Sequence, residues 1–312
     1  MNGRLGGVDG ARCGRTEGRT VTLTFAVRLL AVFVAIAAAT TRAASASPAL
    51  WLVESAHAKV YLFGTIHVLR PAQQWHSPTL DAAIAQSDDL WLEVPDADDP
   101  AAAMPLIATI GLDPDHPLST KLTPTDLARV DAAAKEMGAS EASIDMFRPW
   151  LAGMTLEIAP LMRAGYDAKS GVDLQLKGAF VARGKPVRGF ETIEQQMHFF
   201  ADLPPREEIA FLDSTLDSLG SSAPSVDTLV TQWANGDVDK LAATENGDDL
   251  RNSTALYTTL VVSRNAAWAR RLDELLRGSG VHFVAVGAAH LAGPQSVQAD
   301  LEKLGYRVRR MQ

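Results

Sequence analysis

The sequence predicts an α/β protein: one domain with a central mixed β-sheet, helices on its faces and a helical middle region over the site. Three observations lead there. Val60, Tyr61, Leu62 and Phe63 form an unbroken hydrophobic run, the pattern of a strand buried on both faces, and Gly64 stops it. A second such run, Val281 to Val286, ends at Gly287 more than 200 residues later. Each run is followed by the same device, Gly-x-x-His, which delivers His67 and His290 to the carboxyl end of a strand, where open α/β sheets bind ligands.

Taken in order, the chain opens on a leader. Arg4, Arg12, Arg15, Arg19 and Arg28 precede the apolar run Leu29–Ala39, and Ala44-Ser-Ala46 is a small-x-small cleavage site, so residues 1–46 read as a secretory signal and residues 47–312 as the mature domain. The apolar run holds 11 residues, whereas a spanning helix needs about 20. No stable membrane insertion is therefore expected after cleavage near Ala46, and the location expected is periplasmic or secreted. The single cysteine, Cys13, lies inside the leader, which leaves the mature chain without disulfide or thiolate metal ligation.

Next, Leu50–Glu54 and Lys59–Phe63 read as a hairpin turning at Ser55-Ala-His57-Ala, with His57 exposed. Ser77 caps a helix that has Pro78 in its first turn and runs to Gln86. Asp89–Pro95 is a short strand with Leu90 and Leu92 on one face and Glu93 at its end, closed by Pro95. Helices open at Thr123-Pro124, at Arg148-Pro149 and after Gly171. Lys185–Thr192 is a further strand with Glu191 at its end, and Ile193–Leu276 is again helical. Gly305–Arg309 forms a last strand at the sheet edge. Trp91, Trp150, Trp233 and Trp268 sit in periodic apolar contexts that fit packing rather than substrate platforms.

Charge narrows the class. The leader carries six arginines against Asp9 and Glu17, so its removal takes the net charge from −8 to −12. An acidic body with no basic run argues against nucleic acid as a partner.

Four residues at predicted strand exits carry the chemistry: His67, Glu93, Glu191 and His290. Two imidazoles with one or two carboxylates are a common ligand set for zinc, manganese or iron with a position left for water. A divalent ion there lowers the pKa of bound water to about 7 and polarises a carbonyl, leaving a remaining carboxylate as general base. Gly64 and Gly287 are expected to permit a tight exit from each strand and close approach of a substrate backbone. His76, His116, His198 and His282 read as structural or exposed.

Gly64-Thr-Ile-His67, Leu92-Glu93, Pro149-Trp150, Gly171-Val-Asp173, Gly189-Phe-Glu-Thr-Ile-Glu-Gln195, Arg264-Asn265 with Trp268, and Val286-Gly-Ala-Ala-His-Leu-Ala-Gly293 together resemble the ordered pattern of the TraB/PrgY/GumN family. The resemblance covers about residues 50–309. It implies a pseudo-symmetric α/β fold like that of the Tiki proteases, erythromycin esterases and ChaN-like proteins. Catalytic roles pass to His67, Glu93, Glu191 and His290, with His67, Glu93 and His290 as metal ligands for Mn, Co or Zn. Thr65, Arg264 and Asn265 take substrate-binding or supporting roles. The resemblance points to a metal-dependent hydrolase acting on a peptide or a small amide or ester. The alternative is a periplasmic binding protein for haem, an iron complex or a signalling peptide, and Phe190, where many relatives carry leucine, changes neither reading.

Overall fold

Among the described residues there are six strands: β1 (Leu50–Glu54), β2 (Ala58–Thr65), β3 (Asp89–Leu92), β4 (Val187–Gly189), β5 (Gly280–Gly287) and β6 (Val308–Arg310). The structure, a computed structural model, describes residues 46–245 and 254–312. Apart from Ala46, the expected export leader lies outside the described residues.

The strands form one mixed sheet in the order β4-β3-β5-β2-β1-β6. β1 and β2 are the expected hairpin, with Leu50 opposite Phe63. Ser55 closes its turn by accepting the Ala58 amide at 3.0 Å. β6 lies antiparallel against β1 at one edge. The other half of the sheet is parallel: β2 beside β5, β5 beside β3, and β3 beside β4. β3 and β4 are shorter than the sequence suggests, with Glu93 and Glu191 falling just past their ends.

The register of β2 and β5 decides where the site forms. The two strands pair along their whole length, with Gly64 opposite Val286 and Thr65 opposite Gly287. Both Gly-x-x-His segments therefore leave the sheet side by side.

Side-chain alternation gives the sheet two apolar faces. Leu50, Leu52, Phe63, Leu90, Phe283 and Ala285 pack in one cluster. Val53, Val60, Leu62, Trp91, Val284 and Val286 pack in the other, together with Trp268 and Leu272.

The helices that matter below are α1 (Pro78–Gln86), α2 (Pro124–Glu136), α3 (Pro149–Arg163), α4 (Val172–Val181), α5 (Ile193–Ala201), α6 (Pro205–Ser218), α7 (Ser222–Ala234) and α8 (Ser263–Arg277). Ser77 caps α1 by accepting the Leu80 amide. Thr192 and Gln195 form a reciprocal capping box on α5. α2, α3 and α6 share a separate core around Val130, Ala134, Leu156 and Leu212, so the helical middle has packing of its own. Among the described residues, no helix is long and apolar enough to cross a membrane.

His76, His116 and His198 pair at the surface with Asp81, Asp113 and Asp202. His282 is buried at the start of β5, where its Nδ1 meets Asp89 at 2.8 Å.

Candidate functional site

His67 stands two residues beyond β2, and its partner comes from α4. Val172 donates its amide to the Ile66 carbonyl at 3.0 Å. At Gly171 a Cβ would fall 2.2 Å from the His67 carbonyl oxygen, so the approach of the two segments requires glycine. That approach sets Asp173, in the first turn of α4, against the imidazole: Asp173 Oδ2 lies 2.8 Å from His67 Nδ1, and Thr65 Oγ1 donates to Oδ1 at 2.6 Å. Because the carboxylate only accepts, Nδ1 carries a proton and Nε2 is left to the cavity. The Asp173 charge raises His67 to about 9, ahead of the opposing cost of burial. Solvent still reaches 65 % of the side chain, and this water screens the pairing.

His290 leaves β5 in the same way and meets the opposite environment. It sits in the short turn Ala288–Leu291 and is buried. Its Nδ1 faces Asn265 Oδ1 at 2.7 Å, while Asn265 is itself held by its amide on the Gln295 carbonyl. Nδ1 thus donates and Nε2 carries the lone pair. Burial lowers His290 to about 4; Glu93 opposes this and Arg264 adds to it. The ring is neutral at physiological pH.

Glu93 and Glu191 come together because the β3–β4 ladder continues past both strands, with the Glu191 amide on the Glu93 carbonyl at 2.9 Å. Their side chains then part. Glu93 points to the histidines, with Oε1 accepting the Gly287 amide at 2.6 Å and lying 3.8 Å from His290 Nε2. Its Oε2 accepts from Arg264 at 2.5 Å and from Gln196 at 3.3 Å. Glu191 takes both Arg264 Nε and Trp268 Nε1 on Oε1, at 2.8 and 3.0 Å, and Arg264 Nη2 on Oε2 at 2.9 Å. It stands behind the arginine and does not line the cavity.

Arg264, in the first turn of α8, is the cation that joins these groups. Besides both carboxylates, it donates to the Leu260 carbonyl and to His290 Nε2 at 3.2 Å, and its plane lies over Trp268. Burial pushes the Glu93 carboxyl up, but His290, Arg264, His67 and the Gly287 amide together hold it down at about 2. With His290 neutral above pH 4, Arg264 and His67 supply that positive charge.

The structure thus brings together His67, Glu93, His290, Thr65, Arg264 and Asn265, with Glu191 one layer behind. Two participants stand in motifs of the resemblance, yet the sequence assigns neither a role at the site. Asp173 reads as an ordinary acidic residue in a helix's first turn, and Trp268 reads as core, although it touches both Glu191 and the His290 ring at 4.5 Å. Trp150, also expected only to pack, lines the cavity.

The fit to a divalent ion can be tested at Gly287. A Cβ there would reach Glu93 Oε1 at 3.1 Å, His290 Cδ2 at 3.6 Å and His67 Nε2 at 3.7 Å, so the missing side chain leaves a cradle bordered by all three groups. Neither Gly64 nor Gly287 has positive φ, and each serves through the room it leaves: at Gly64 a Cβ would press on Ala288 Cα at 3.0 Å. Two imidazoles with anchored Nδ1, one Nε2 open to the cavity and the other accepting from Arg264, beside an ionised carboxylate, suit such an ion. Charge balance agrees, since Asp173, Glu93 and Glu191 face one arginine once His67 gives up its proton. Among the described residues no three His, Cys, Asp or Glu side chains are already drawn to ligand spacing, and Arg264 occupies part of the space between Glu93 and His290. The donors fit in kind and direction, and an ion would compete with Arg264 for them.

Above this polar floor opens a cavity of about 680 Å³ walled by α3, α5, α7 and the turn before α8. It is of the size that holds a drug-sized ligand.

The model of the TraB/PrgY/gumN family matches residues 49–310, and the chain belongs to that family. No curated protein and no solved structure matches it.

Proposed function

With that family as the premise, we propose that this protein is an exported hydrolase that cuts an amide bond in a peptide and depends on a divalent ion such as Mn²⁺, Co²⁺ or Zn²⁺. The observation that carries this reading is the convergence, around Gly287, of His67 Nε2, His290 and the ionised Glu93 on the floor of one cavity. His67 Nε2, His290 Nε2 and Glu93 would hold the ion. When bound, such an ion polarises a carbonyl and brings the pKa of a water to about 7.

The chain's own residues prepare that site. Asp173 and Asn265 fix both imidazoles with Nε2 inward, the arrangement that second partners give to ligating histidines. Arg264 keeps Glu93 ionised and in place, and Glu191 with Trp268 holds Arg264. Gly287 lets a substrate backbone approach, and the apolar walls displace water from the reacting amide. His67 Nε2 can instead hold a proton and give it to a leaving amine, with Asp173 offsetting the charge. Ligation and proton transfer at this atom exclude each other, so chelation separates them.

The test is peptide hydrolysis by the purified protein before and after dialysis against a chelator, with Mn²⁺, Co²⁺ and Zn²⁺ restored singly. Activity should vanish, return with one of these ions, and be absent in His67→Ala and His290→Ala. Undiminished cleavage after exhaustive chelation sinks the ion-dependent reading and leaves His67 as the acid–base group.

The apolar walls favour a second reading, in which the cavity holds haem or a signalling peptide without turnover. A Soret band on adding hemin, lost in His67→Ala, would support it.

A further inference from the structure

The walls of the cavity differ from its floor in one respect. His67, Glu93, Arg264 and His290 all belong to the floor; away from it, among the described residues, no acidic or basic side chain lines the space. The walls are Met154 and Ile158 of α3, Met197 and Phe200 of α5, Leu229 of α7, and Leu260.

Two π-helical turns, Ile107–Gly111 and Thr258–Val262, each contribute lining residues. Such turns recur at functional sites. The apolar lining also continues outward. Met154, Ile158 and Met162 follow one another at four-residue spacing on α3, exposed by 38 %, 51 % and 53 %, and the first two line the cavity. This strip extends for about 12 Å at the helical rise, the length of three to four residues of extended chain.

Resting on the hydrolase reading above, we infer that the substrate is a polypeptide segment with aliphatic or aromatic side chains beside the scissile amide, laid along α3 with that amide on the polar floor. A charged side chain against these walls would be buried without a partner, which is far more costly than burying an apolar one. Met154, Met197 and Met162 give the surface the adaptable packing suited to more than one apolar side chain. A cavity built from several helices, and open along α3, has room for side chains leaving a backbone in different directions. A narrow acyl tunnel would not. Ile158 and Met154 are therefore specificity-determining positions.

The experiment uses the full chain and quenched-fluorescent octapeptides with Leu-Leu, Phe-Leu, Asp-Asp or Lys-Lys at the centre, beside an N-dodecanoyl amide. The apolar peptides should exceed the charged ones by about 100-fold in kcat/KM, and Ile158→Glu should lower their kcat/KM at least about tenfold. Ile158 is half exposed, so this variant should fold, which circular dichroism checks. Equal or better cleavage of the charged peptides, no response to Ile158→Glu, or turnover of the N-acyl amide alone overturns the inference while hydrolysis stands. If nothing is cleaved, fluorescence anisotropy of the same peptides decides. Apolar peptides bound in a manner sensitive to Ile158→Glu would uphold the ligand class although the hydrolase reading fell. No preference in binding would overturn it.

Discussion

The two Gly-x-x-His segments are copies of one local device, yet their histidines have opposite properties. His67 stands solvent-exposed on the cavity floor against a carboxylate and is raised to about 9; His290 is buried against an amide and a guanidinium and is lowered to about 4. The strand and glycine place each ring. What meets Nδ1, and how much water remains, sets its charge. Environments that push two titratable groups apart in this way separate a proton donor from a neutral ligand or acceptor, which is the condition acid–base chemistry needs.

The largest test of this contrast removes the cation that joins His290 to the two carboxylates. Arg264→Met leaves Glu93 and Glu191 buried without their shared partner and should cost about 3–5 kcal/mol in urea unfolding. A loss below about 1 kcal/mol would mean that the carboxylates are solvated or protonated, and the contrast would lose its source.

Next in size is the pH dependence of stability. The folded pKa of His290 lies below its unfolded value of 6.5, so the unfolded chain binds more protons between them. Its contribution is present above pH 6.5 and lost as pH falls through 4, on the order of 3 kcal/mol. Glu93 adds a separate acid loss, present above 4.5 and gone as pH falls through about 2. His67 has the reverse sign: its contribution is present below 6.5 and lost as pH rises through about 9. Thermal melts of His290→Gln should lose the limb between pH 6.5 and 4 and keep the alkaline one; in His67→Gln the reverse is expected. Identical profiles for both variants would contradict the division.

A smaller change exchanges one partner. Asp173→Asn removes the leading cause of the elevated His67 and should bring its pKa down from about 9 towards the ordinary value of 6.5, while burial keeps His290 lowered. Titration of the ring Cε1–H signals by NMR measures both. An unchanged His67 would put the cause elsewhere.

The smallest effect on stability belongs to Gly287→Ala. The added methyl would sit 3.1 Å from Glu93 Oε1, so the neighbour must give way slightly and unfolding should shift by only about 1 kcal/mol. Activity and ion binding should fall far more than stability, because the methyl enters the space between both rings. Wild-type turnover in this variant would show that the cradle is not where the reaction occurs.

Much of this was legible in the chain. β2 and β5 announce themselves through local apolar runs, and each is stopped by glycine, so the positions of His67 and His290 follow from sequence. Glu93 and Glu191 were equally readable as strand exits. What was not readable is that they divide: Glu93 enters the cavity and Glu191 supports the arginine behind it, a choice made by side-chain direction rather than spacing. Asp173 stands in one of the motifs of the resemblance, yet the sequence assigns it no role, because it lies 106 residues from His67 in the chain and reads as a helix-start acid. The cavity walls escaped notice for a related reason, since their apolar residues look like core until the helices are placed and one face is found open.

The sequence by itself determined the α/β class, the mixed sheet's principal strands and the family, because β-runs, caps and ordered motifs are local or nearly local signals. The tertiary structure alone decided the pairing of β2 with β5, the placing of Arg264 between two acids and an imidazole, and the opposite charge states of twin histidines. Those depend on distance and dielectric between residues far apart in the chain, which spacing along a polymer does not encode.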